Sequence, residues 1–138
     1  MHLVIGGAYQ GKKEYVRQQF GMEKEYTGDE IAVLCMQNNK EQFHSELERL
    51  PDKIVIGEFH KLIYHLLDAE IDPWDYVNEL ISIKKDAVIV CNELGCGLVP
   101  IDKKDRIYRE CVGRILCKIA KDAQTITRVY CGIGEKIK

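Results

Sequence analysis

The chain predicts an α/β fold, three layers deep, around a mainly parallel sheet of about five to six strands. Three observations carry this expectation. Short aliphatic runs recur along the 138 residues, segments with helical spacing separate them, and the first run passes through a glycine-rich turn into a helix. The length suits one domain spanning residues 1–138, with enough chain to bury a core.

The elements follow in order. Leu3 to Ile5 form the opening strand and Gly6 to Gly11 the turn. A helix starts at Lys12, places Tyr15, Val16 and Phe20 on one side, and stops at Gly21. Met22 to Glu30 read as a charged connection, and Ile31 to Cys35 as a second strand covered on both faces. Phe43, Leu47 and Leu50 mark a short helix ended by Pro51, and Ile54 to Ile56 a third strand. Phe59, Leu62, Ile63, Leu66 and Leu67 form a helix face. Asp72 and Pro73 then cap a helix that turns Trp74, Val77, Leu80 and Ile81 inward. Ala87 to Cys91 are the clearest strand. Asp102 caps a long helix with Ile107, Cys111, Ile115 and Ile119 as its inward stripe, and Ile126 to Cys131 return as the last strand before the tail.

Composition narrows the partners. A net charge of −2 without a basic run gives no field for nucleic acid, and the short apolar runs exclude a membrane span. Six cysteines without a C-x-x-C pair or a secretory segment read as small buried hydrophobes in a reducing cytoplasm. The alternative is a metal or redox cluster, should the run-end residues Cys35, Cys91 and Cys131 converge at one sheet edge.

The turn carries the chemistry. Gly6, Gly7, Ala8, Tyr9, Gln10, Gly11 and Lys12 satisfy G-x-x-x-x-G-K between a strand and a helix, which predicts a three-layer P-loop (RecA-like) domain. Such a loop points backbone N–H groups at phosphate, the helix N-terminus adds its dipole, and Lys12 reaches the terminal phosphates. The next position normally supplies a hydroxyl to Mg²⁺. Here it is Lys13, whose ammonium has no lone pair and ligates no metal. Lys13 either points to solvent, stands in for part of the metal's charge, or marks lost hydrolysis. Two strand-end acids, Glu58 and Glu93, are candidates for the carboxylate of a metal shell. His60 and His65 read as structural or surface histidines beside an apolar helix face.

After strand 87–91 comes a loop with Asn92, Glu93, Gly95, Gly97, Val99 and Pro100. These positions match the N-E-V-G-x-G-I-V-P segment of the bifunctional adenosylcobinamide kinase / adenosylcobinamide-phosphate guanylyltransferase family of cobalamin biosynthesis, which the chain resembles. The likeness continues through Arg109 to Arg114, where the family has R-D-x-x-G-R. It ends on Gly132 to Lys138, similar to G-I-G-x-K-I-K. Residues 6–12 resemble its G-G-A-R-S-G-K-S, with Tyr9 and Gln10 in place of arginine and serine.

The resemblance implies a cytoplasmic, often trimeric homo-oligomer. It implies an enzyme that uses ATP or GTP to phosphorylate the aminopropanol hydroxyl of the corrinoid adenosylcobinamide, with Lys12 and Glu93 central. A guanylylated histidine would serve a second reaction. The segment that carries it in the family has shrunk here to Met36 through Lys53, whose one histidine, His44, lies beside Phe43 in a short helix, so guanylyltransfer is expected to be lost. The family's third-strand carboxylate aligns with Gly57, one residue before Glu58. A minimal kinase, a binding module that has lost its chemistry, and an assembly protein with a relic loop all remain open.

Overall fold

The computed structural model describes residues 1–21, 24–95 and 98–138. In chain order the elements are β1 (His2–Gly6), α1 (Lys12–Phe20), β2 (Glu25–Thr27), α2 (Gly28–Gln37), α3 (Lys40–Arg49), β3 (Val55–Gly57), α4 (Phe59–Asp68), α5 (Pro73–Ile83), β4 (Val88–Asn92), α6 (Lys103–Asp122), β5 (Thr125–Tyr130) and β6 (Ile133–Lys136). One six-stranded sheet has the order β2-β3-β4-β1-β5-β6. All pairs are parallel except β5 with β6. The α/β architecture with a mostly parallel sheet is as the sequence predicts. The phosphate-loop strand β1 sits in the middle, between β4 and β5.

Alternation along the strands builds two cores. Leu3, Ile56, Ile89, Cys91 and Ile126 face α2 to α6 in the larger core. Val4, Val55, Val88, Val90 and Val129 face the other way, onto Val16, Tyr15 and Phe20 of α1. Each such buried side chain contributes roughly 1.5–3 kcal/mol. By the same alternation Gly57 belongs to the α1 face, and the register of β2 against β3 puts Glu25 beside Val55 and Thr27 beside Gly57.

The second strand expected at Ile31 to Cys35 is instead the middle of helix α2. A five-residue apolar run carries no period long enough to separate a buried strand from a buried helix. The deciding signal lies upstream. Thr27 and Glu30 form a capping box, with the Glu30 N–H donating to Thr27 Oγ1 at 3.2 Å and the Thr27 N–H to Glu30 Oε2 at 2.7 Å. The charged connection correspondingly contains β2, a short polar edge strand. Its Met22 and Glu23, and Cys96 and Gly97 of the loop after β4, lie outside the described residues.

Other boundaries follow their caps. Gly21 ends α1 in the left-handed region, its N–H bonded to Arg17 O at 3.1 Å. Asp72 and Asp102 accept N–H bonds from Trp74 and Lys104 at 3.1 and 2.7 Å. The inward stripe of α6 is Val112, Ile115 and Ile119; Ile107 is exposed and Cys111 half-buried, because the helix turns 3.6 residues per turn and spacings of four drift off the core. Cys35 and Cys91 are buried, whereas Cys117 and Cys131 are exposed. Cys35 lies on a helix, so it does not join a row of strand-end thiols.

Candidate functional site

The loop from Gly7 to Gly11 leaves β1 and enters α1, and the chain's far end holds it from behind. Cys131 and Gly132 connect β5 to β6 with positive φ at both residues (49° and 79°), the conformation of a tight two-residue hairpin. Their N–H groups donate to Gln10, one to its side-chain oxygen at 2.8 Å and one to its carbonyl at 2.7 Å. The approach is close. A Cβ on Gly11 would lie 3.0 Å from Gly132 Cα, and one on Gly134 would lie 2.3 Å from the Tyr15 ring. The tail glycines therefore have a structural reason: they let the hairpin buttress the loop.

Lys12 is buried, and its ammonium donates to Gly7 O at 2.5 Å. Burial lowers its pKa, and the neighbouring Cys91 and Glu93 groups oppose that shift. Among the described residues, no backbone N–H from Gly7 to Gly11 donates to another backbone carbonyl. A cleft of about 480 Å³ opens beside this loop at the carboxyl ends of β2, β3 and β4. Its floor is apolar, from Val16, Val55 and Val90, and its far wall carries Glu58, His60 and Lys61.

Sequence reading left His60 as a structural or surface residue, and the structure makes it a buried wall of the cleft. Its Nδ1 accepts the Asn92 N–H at 3.4 Å, and its Nε2 lies 3.4 Å from the Asn92 side-chain amide nitrogen. Tyr108 donates its hydroxyl to the His60 carbonyl at 3.0 Å. Burial lowers the pKa of this histidine, favouring its neutral form. His65 pairs at 2.6 Å with Asp29 outside the cleft. His44 lies on α3 against Glu79 and Glu48, likewise away from the cleft wall.

The acids separate. Glu58 has a left-handed backbone (φ 49°) and lines the cleft with Oε2 2.8 Å from Lys61 Nζ. Glu93 lies beside the loop rather than in the cleft lining. Its N–H donates to Gly6 O at 3.0 Å, and its Oε2 accepts from Arg128 Nε and Nη2 at 3.1 and 2.8 Å. The residue that sequence reading missed is Glu25 on β2. It lines the cleft between Lys13 (3.6 Å) and Arg17 (3.7 Å), and a Cβ on Gly57 would lie 3.2 Å from its Oε1. Where the resemblance leaves Gly57 without a carboxylate, the neighbouring strand supplies one. No local motif signals this, since Glu25 sits in a segment with no periodicity. Among the described residues, no group of three or more His, Cys, Asp or Glu side chains gathers as a metal site.

Comparison with known proteins adds to this geometry. The family model for cobinamide kinase / cobinamide phosphate guanyltransferase matches residues 38–137. The chain belongs to this family. A similar curated protein is the bifunctional adenosylcobalamin biosynthesis protein CobU of Escherichia coli (strain K12), 30% identical over 122 residues, covering 74% of this chain and 66% of that protein. The protein of the same description from Salmonella typhimurium is 35% identical over 106 residues, covering 63% of this chain and 59% of its own length. The chain thus spans about two thirds or less of the curated relatives it matches. Within the family match lie Glu58, Glu93 and the tail hairpin. The phosphate loop precedes it, so its role rests on its own geometry. No helix among the described residues is long and apolar enough to cross a membrane.

Proposed function

We propose that this family member binds ATP or GTP through Gly6 to Lys13 and transfers the terminal phosphoryl group to adenosylcobinamide. The observation that carries the reading is the pairing of loop N–H groups that, among the described residues, donate to no backbone carbonyl with a buried lysine at the end of the central strand. In the reaction the aminopropanol hydroxyl oxygen forms a bond to the γ-phosphorus and loses its proton to solvent, the bond to the β–γ bridging oxygen breaks, and the nucleoside diphosphate leaves. Lys12 leaves the Gly7 carbonyl for the phosphates and stabilises the charge that builds on them. Glu93 is the second residue of the proposed site. Its charge favours the ammonium form of Lys12, and its N–H bond to Gly6 ties the loop to β4.

Of the two strand-end acids, Glu58 is the one at the cleft wall and the one that would face a divalent cation. The donors do not fit a magnesium shell. Lys13 offers an ammonium where a hydroxyl is needed, Glu58 already meets Lys61, and Glu25 already meets Lys13 and Arg17. No step is therefore routed through a metal. The reading takes the chain to be a cytoplasmic homo-oligomer whose partners are a nucleotide and a corrinoid. Guanylyltransfer is taken as lost, since His44 lies on a helix against Glu79 and Glu48. A binding module without chemistry is the second reading, favoured by the same poor fit to magnesium.

Turnover of labelled ATP or GTP with adenosylcobinamide tests the proposal. We expect phosphorylated product, with activity lowered about 100-fold or more by Lys12→Ala. Nucleotide binding without turnover in any metal condition would leave the binding module. Absence of both would reject the site.

A further inference from the structure

Lys13 and Arg17 are four residues apart on α1 and so project from one side of it. Glu25 on β2 reaches between them, and each carboxylate oxygen takes a different partner: Oε1 the Lys13 ammonium at 3.6 Å, Oε2 the Arg17 guanidinium at 3.7 Å. This carboxylate fills the space above the end of β3 that a side chain at position 57 would enter. In P-loop domains generally, the residue after the loop lysine and a strand-end acid hold the divalent cation. Here the same place holds a fixed positive charge and its counter-ion.

The charge inventory of the cleft agrees. Lys12, Lys13, Arg17 and Lys61 line it against two carboxylates, Glu25 and Glu58, in a chain whose net charge is −2. The pairs to Glu25 are loose. Both exceed 3.5 Å, and the cations' side chains are 62% and 57% exposed, so exchanging the carboxylate for another anion costs little. A metal-free triphosphate carries more negative charge than its magnesium complex and is therefore drawn more strongly to a cleft of net positive charge.

Resting on the nucleotide reading above, we propose that Lys13 and Arg17 replace the divalent cation, so that the site binds the polyphosphate of a nucleotide without metal. Glu25 is the built-in counter-anion that holds the two cations and yields them to phosphate. Lys12 stays the loop's own phosphate ligand.

The test is titration calorimetry of the full chain with ATP, GTP and inorganic tripolyphosphate, in EDTA and in excess Mg²⁺. We expect binding in EDTA at least as tight as in Mg²⁺. Lys13→Thr should weaken binding in EDTA by about tenfold or more, which is about 1.4 kcal/mol. Glu25→Gln should tighten it several-fold, by removing the internal competitor. Binding about tenfold tighter in Mg²⁺ than in EDTA would overturn the proposal and leave the nucleotide reading standing. So would an unchanged affinity in Lys13→Thr, or a Glu25→Gln variant that shifts the melting temperature without shifting affinity. Absence of binding by all three probes in both conditions would overturn the nucleotide reading as well.

Discussion

Replacing Gly28 with alanine tests the arrangement on which the cleft depends. Gly28 opens α2 and lies against the start of α4, where a Cβ would stand 2.3 Å from the Glu58 carbonyl oxygen and 2.8 Å from the Leu62 nitrogen. Both neighbours are backbone, so no rotamer change relieves the overlap. An ordinary contact is about 3.4 Å, so the two helices must separate by about 1 Å, near the upper end of the usual overpacking cost of about 1–3 kcal/mol. We expect Gly28→Ala to destabilise by about 3 kcal/mol, read by urea unfolding as a midpoint lowered by about 1–2 M. Glu58 should move with α4, changing the cleft wall. Gly113, exposed on α6 with no atom within 4 Å of a built Cβ, is the internal control. There alanine should stabilise by about 0.5–1 kcal/mol through helix propensity. Equal effects at the two sites, or a neutral Gly28→Ala, would refute the packing of α2 on α4 and revive a strand at Ile31 to Cys35.

Thr27→Ala removes the capping-box acceptor at the head of α2 and is expected to cost about 1 kcal/mol in thermal or urea unfolding, with Glu30→Ala non-additive because the two bonds form one unit. For pH, burial first and then the chain's amino terminus lower the pKa of His2, and burial lowers that of His60. Both then take up protons more readily when unfolded. The stability they contribute is present above the unfolded value of about 6.5 and falls as pH drops below it, by at most about 1.4 kcal/mol per pH unit for each histidine. His44 is shifted upward, first by its bond to Glu79, so its contribution has the opposite sign, present below about pH 6.5 and lost as pH rises through the shifted value. Urea unfolding of the parent chain and His60→Gln between pH 7 and 5 isolates the His60 contribution, and the variant should lose less stability as pH falls. An unchanged slope in that variant would show that His60 is already solvated in the folded chain.

Much of this molecule was legible along the chain. The glycine-rich loop motif needs only consecutive residues, and the caps at Gly21, Asp72 and Asp102 act within one turn, so their residue types report directly on the backbone they stabilise. The loop after β4 and the tail carried the family resemblance, which the family match then bore out. The apolar run at Ile31 was read with the wrong period because five residues do not resolve one. Its capping box, four residues earlier, held the answer.

Sequence alone determined where the glycine-rich strand-to-helix loop lies, that its lysine is followed by a second lysine, and to which family the later part of the chain belongs. Only the tertiary structure decided what that second lysine meets. Glu25 reaches Lys13 because β2 pairs with β3 in register, and the tail hairpin reaches Gln10 because β5 lies beside β1, with 121 residues separating Cys131 from its partner. Such contacts are set by strand order and helix packing rather than by any neighbour in the chain.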